Sequence, residues 1–128
     1  MTGDRSAPEP LPPAPPRVEV VLADYRFEMA GDLPLGRVIV EVENRGTTTH
    51  SLTLIELPED YPPLDQQLRG DERRGVATVA QVPGRAPGER TRFALDVQPG
   101  RYGLVCLVAD ADGRTHGQKG MNLEFRVR

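Results

Sequence analysis

From Arg17 onward the hydrophobic positions fall into short runs, several alternating apolar and polar residues with a period of two, and Gly, Pro, Asp and Asn bound the runs. The runs are Val18 to Ala23, Tyr25 to Met29, Arg37 to Glu43, His50 to Leu57, Val76 to Val82, Thr91 to Val97, Arg101 to Val108 and Asn122 to Val127. Val38, Val40 and Val42 are interleaved with Arg37, Ile39, Glu41 and Glu43, as in a strand that buries one face. Turn-forming groups separate the runs: Ala30-Gly31-Asp32, Asn44-Arg45-Gly46, Pro83-Gly84, Pro87-Gly88, Pro99-Gly100 and Asp112-Gly113. Seven or eight strands at this spacing predict an all-β fold, an antiparallel Greek-key sandwich or barrel. The segment Glu59 to Gly75 breaks the pattern. There Pro62-Pro63 can open a helix and Leu64, Gln67 and Leu68 share one face, which predicts one short helical insertion ending near Gly70.

The first 16 residues, with six of the 13 prolines, lack this periodicity and bury too little apolar surface to offset the entropy of ordering. They read as a disordered, Pro-rich tether, either the stub of a removed leader or membrane anchor or a native floppy terminus, preceding a domain over 17–128. At 128 residues the chain has room for one ordinary domain. No apolar run approaches the roughly 18 residues that a membrane-spanning helix needs. A net charge of −3 without a basic stripe argues against nucleic-acid binding. A single cysteine makes no internal disulfide, and there is no C-x-x-C zinc pattern.

Strand parity brings out the candidate chemistry. His50 shares a face with Leu52 and Leu54, Cys106 with Tyr102 and Leu104, and Met121 with Leu123, Phe125 and Val127; all three stand at strand ends with inward parity. His116 lies on the connection between the last two strands. Taken singly, each has an ordinary structural role, because a lone Cys or Met in apolar company is usually core packing. Together they comprise the only Cys, both His and one of the three Met. Two imidazoles and a thiolate with a weak axial thioether form the set that a blue-copper centre requires. The acidic run Asp110-x-Asp112-Gly113 begins like a calcium loop, but Met121 stands where the bidentate Glu belongs, so a β-turn is the expectation. A Cys nucleophile is disfavoured because Cys106 follows an apolar strand rather than opening a helix.

These pieces resemble the cupredoxin family of small blue-copper proteins. The resemblance rests on Asn44-Arg45-Gly46-Thr47-Thr48-Thr49-His50, on Pro99-Gly100-Arg101-Tyr102-Gly103-Leu104-Val105-Cys106, and on His116-Gly117-Gln118-Lys119-Gly120-Met121, and it covers about Val18 to Arg128. The helical insertion and the long loop after Cys106 are more narrowly similar to bacterial exported cupredoxin-like domains. The resemblance implies one copper ion held by His50, Cys106, His116 and Met121 in a type 1-like centre. It also implies one-electron transfer with a redox partner protein rather than catalysis, an extracytoplasmic location and a monomeric state. Two alternatives stay open: a copper-delivering or buffering protein that works with a copper-handling partner, and a metal-free interaction module docking through Tyr61-Pro62-Pro63. Two departures stand out. Nine residues separate Cys106 from His116, more than in well-studied members, so the loop must bulge outward. Ser51 follows the first His where the family often has an Asn that ties the two ligand loops together.

Overall fold

The computed structural model describes Pro8, Pro10, residues 13–70 and residues 74–128. Most of the segment read as a tether lies outside the described residues. Among the described residues, eight strands form two four-stranded sheets packed as a sandwich. The strands are β1 (Arg17–Ala23), β2 (Arg26–Met29), β3 (Gly36–Asn44), β4 (His50–Leu57), β5 (Ala77–Arg85), β6 (Arg90–Val97), β7 (Gly100–Val105) and β8 (Asn122–Val127), with the helix α1 (Leu64–Arg69) between β4 and β5. One sheet has the order β2-β1-β3-β6 and the other β5-β4-β7-β8. All pairings are antiparallel except β1 with β3, where Val18 lies beside Val40 and Val20 beside Val42. That parallel pair corrects the expectation of a wholly antiparallel arrangement. It arises because β2 pairs with the outer edge of β1, leaving β3 to join the other edge after a crossover.

The alternation seen in the sequence becomes the inter-sheet core. Val18, Val20 and Leu22 from β1 and Val38, Val40 and Val42 from β3 face Leu52 and Leu54 from β4 and Tyr102 and Leu104 from β7. Strand β4 is buried on both faces except at Glu56. Its outer side and that of β7 are covered by α1 in a second cluster of Ile55, Leu57, Tyr61, Leu64, Leu68 and Val105. Burying the two helix leucines contributes roughly 1.5–3 kcal/mol each. Gly103 is what lets the helix sit so close, since a Cβ there would stand 2.5 Å from Leu64 Cδ2.

Two readings change at the strand ends. Pro83-Gly84 is not a turn but lies inside β5. The strand is at a sheet edge, where a missing N–H is tolerated, and the register shift between His50–Arg85 and Leu52–Val82 absorbs the pair as a bulge. Tyr25, read as part of a strand, instead occupies the tight turn between β1 and β2.

A buried arginine anchors the insertion. Arg101 is 7% exposed, donates to both carboxylate oxygens of Glu124, and also donates to the carbonyls of Pro58, Tyr61 and Pro62. Glu124 Oε1 in turn accepts the N–H of Leu64 at 3.0 Å, satisfying one of the donors left free at the start of the helix. Arg101→Ala is expected to destabilise the protein by about 3 kcal/mol in urea unfolding, because it strands the carboxylate and several buried carbonyls. The Arg101 guanidinium holds the Glu124 carboxyl below its ordinary value of 4.5. The folded state therefore binds the proton less readily than the unfolded chain, and the pair's contribution is full above that value and fades as pH falls below it. The difference in stability between the native protein and Arg101→Ala should narrow accordingly in acid.

Candidate metal centre

The four candidate residues meet at one end of the sandwich. His50 opens β4, Cys106 follows directly on β7, His116 precedes a 3-10 turn at Gly117–Lys119, and Met121 stands immediately before β8. His50, Cys106 and Met121 are fully buried and His116 is 2% exposed. One nitrogen from each His and the Cys106 sulfur lie within 4.8 Å of one another. The His50 and His116 Nδ1 atoms are 3.1 Å apart, and Cys106 Sγ is 3.6 Å from His116 Nδ1. Backbone bonds bring Met121 into register with the others: the Cys106 N–H donates to the Met121 carbonyl at 3.2 Å and the Met121 N–H to the His116 carbonyl at 2.9 Å.

The long Cys-to-His spacing is accommodated by a small hairpin. The N–H groups of His116 and Gly117 donate to the carbonyls of Val108 and Cys106, and the Asp110 N–H donates to the Arg114 carbonyl, each at 2.8 Å. Ala109 bridges to Thr115, and the tip closes with Gly113 at φ 81° donating to the Asp110 carbonyl. The loop thus bulges outward through Asp110 to Gly113 and returns His116 alongside Cys106. The acidic run forms the expected turn, and Lys119 bonds both Asp110 and Asp112 at 2.9 Å.

Each imidazole is oriented from outside by a carboxylate. His50 Nε2 lies 2.9 Å from Asp24 Oδ1, and His116 Nε2 lies 2.8 Å from Asp110 Oδ1. The carboxylates accept only from a protonated nitrogen, which assigns each ring proton to Nε2 and leaves both Nδ1 lone pairs pointing into the cluster. Asp24 also accepts from the Thr47 N–H and hydroxyl, and the His50 and Thr47 bonds hold its carboxyl down at about 2. Asp110 accepts from Lys119 and from the Tyr25 hydroxyl, and these bonds, Lys119 first, hold its carboxyl far below the ordinary range. Ser51 ties the two ligand loops in place of an Asn. Its N–H reaches Cys106 Sγ at 3.4 Å and its hydroxyl oxygen accepts the Leu107 N–H at 3.1 Å. Asn44 braces the approach to His50 by donating to the Thr48 and Arg85 carbonyls and accepting the Gly46 N–H.

The chemistry of this donor set fits a metal ion. In that tautomer the two Nδ1 atoms, 3.1 Å apart in a buried site, are acceptors that face one another, and the protein donor beside them is the weak Cys106 thiol, 3.6 Å from His116 Nδ1. A cation among them satisfies both, and the thiolate and imidazole donors suit copper better than a hard ion. Gly46 is part of the fit. A Cβ there would stand 2.5 Å from Asp24 Oδ1 and 2.6 Å from His50 Nε2. Gly46→Ala should therefore pry the carboxylate from the imidazole and weaken copper binding about tenfold, as read by competition with a chelator.

Spacing and parity did not bring out the orienting residues Asp24 and Asp110, nor Tyr25, which covers the His116 ring. Asp110 stood in the acidic run, but nothing in the run pointed to His116. A surface groove of about 400 Å³ is lined by residues such as Arg17, Glu41, Glu43 and Arg90, and no member of the cluster borders it.

A two-sheet β-sandwich in which β4 brings His50 to Cys106 and His116 on the connection between the last two strands has a cupredoxin-like fold. Solved structures agree on the fold. Reduced auracyanin from the photosynthetic bacterium Roseiflexus castenholzii superposes with a TM-score of 0.62 at 18% identity, over 91% of this chain and 99% of that one. Auracyanin A, a "blue" copper protein from Chloroflexus aurantiacus, gives 0.60 at 16% identity over 90% of this chain and 100% of that one. Rusticyanin from Thiobacillus ferrooxidans gives 0.58 at 20% identity over 90% of this chain and 79% of that one. No protein-family model and no curated protein matches the sequence.

Proposed function

We propose that the protein is a one-electron carrier whose single copper ion is held by His50, Cys106 and His116, with Met121 as a weaker fourth ligand. The observation that carries the reading is the pair of inward-facing Nδ1 atoms beside the Cys106 sulfur, each imidazole fixed from behind by an aspartate. Copper bound there would exchange one electron between its +2 and +1 states. The chain's own part is to hold the donors still. The rigid sandwich, the hairpin and the Ser51 tie restrict movement of His50, Cys106 and His116, so that little rearrangement accompanies a change of charge. Burial excludes water from the donors. Auracyanin A and rusticyanin are copper proteins by name, which supports the same metal here. An extracytoplasmic location and a redox protein as partner belong to this proposal.

A copper-delivering role would be favoured by loosely placed ligands, and the braced hairpin between Cys106 and His116 argues against it. A docking role through Tyr61-Pro62-Pro63 loses its motive too, because Tyr61 is buried and Arg101 binds the Tyr61 and Pro62 carbonyls. Voltammetry and copper(I) transfer to a chelator separate carrier from courier. A carrier gives a reversible one-electron wave and releases metal slowly. Fast release with an irreversible wave would reject the carrier reading.

A further inference from the structure

The candidate ligands have no exposed edge. His50, Cys106 and Met121 are fully buried, and the nearest to solvent, His116, is 2% exposed with its outer nitrogen covered by Asp110. Electron exchange with a partner must therefore cross one intervening layer of side chain. Tyr25 supplies such a layer. Its ring lies 4.8 Å from the His116 ring, centroid to centroid, tilted by 55°, and it is 43% exposed. Its hydroxyl donates to Asp110 Oδ2 at 2.7 Å while Oδ1 of the same carboxylate takes the His116 Nε2 proton. Tyr25 is thus coupled to His116 by ring contact and by a two-bond bridge. The placement is maintained against backbone strain: Tyr25 has φ 60°, the only positive φ outside glycine among the described residues. Its neighbour Asp24 meanwhile orients His50.

We infer that Tyr25 is the electron port of this protein, the side chain against which a one-electron partner docks. The inference rests on the copper reading above. In the simplest exchange the partner is a second copy, and one electron passes from the Cu(I) form to the Cu(II) form. No bond is made or broken, and Tyr25 keeps its phenolic proton, donated to Asp110 Oδ2, throughout. The rival route runs through Leu107, which follows Cys106 in the chain and is 46% exposed.

The test is electron self-exchange, read from NMR line broadening in mixtures of the two forms, in the native protein and in Tyr25→Phe, Tyr25→Lys and Leu107→Lys. Tyr25→Phe should stay within about twofold of native. Tyr25→Lys should slow exchange about tenfold or more, since it sets like charges against each other at the contact, whereas Leu107→Lys should have little effect. Slowing by Leu107→Lys equal to or greater than that by Tyr25→Lys would overturn the inference. A second readout needs no copper. In the metal-free protein a neutral gadolinium chelate should barely relax the His116 ring protons, and should relax them strongly in Tyr25→Gly, which suits the left-handed backbone. Strong relaxation in the native protein, or none gained in Tyr25→Gly, would show that Tyr25 is not the layer between His116 and solvent. Absence of a thiolate-to-copper absorption band in the native protein would instead sink the copper reading itself, so the two failures are distinct.

Discussion

Replacing Cys106 by Ser is expected to abolish the intense visible absorption of the copper-loaded protein while leaving the fold intact. The volume change is small and the site lies at the end of the core, so circular dichroism should be unchanged. The colour, however, requires charge transfer from a thiolate, which a hydroxyl cannot supply at neutral pH. Affinity should also fall by more than the roughly 10–100-fold that an outer partner of a ligand is worth, because a soft anionic donor is lost. Retention of the band in Cys106→Ser would mean that the sulfur is not bound to the metal and that the cluster is core packing.

Asp110→Ala should have the next largest effect. The carboxylate is shared among the His116 Nε2 proton, Lys119 and the Tyr25 hydroxyl, so its removal unlocks the ring, the cation and the aromatic cover together. Copper affinity should fall about 10–100-fold, and chelator competition measures it directly. Asp110→Asn keeps an acceptor for the imidazole and should recover part of the loss. If Asp110→Ala binds copper as well as the native protein, His116 is not oriented through its outer nitrogen.

The strands and the inward parity of His50, Cys106 and Met121 were legible because one buried face imposes a period of two. β4 was legible as a run although its alternation fails, since α1 covers its second face and both parities are apolar. The parallel β1–β3 pair was not, because strand order depends on which edge β2 occupies, and nothing local to the sequence records that. Pro83-Gly84 carried a genuine turn signal, which the edge position of β5 turned into a bulge. Within the site, Asp24 and Tyr25 were invisible. Their partners lie 26 and 85 residues away, joined only when the β1–β2 turn closes over the ligand loops. His116 was legible as a residue type, but its approach to Cys106 depends on the hairpin from Val108 to His116, which no spacing rule encodes.

In the proposed centre His50, Cys106 and His116 hold one copper ion with the Cys106 sulfur bound to it. Stepwise addition of Cu(II) to the metal-free protein, followed by visible absorption, tests it most directly. An intense thiolate-to-copper band is expected to grow linearly and saturate at one copper per chain, with Cys106 then closed to thiol reagents. A colourless product in which Cys106 remains open to such a reagent would contradict it.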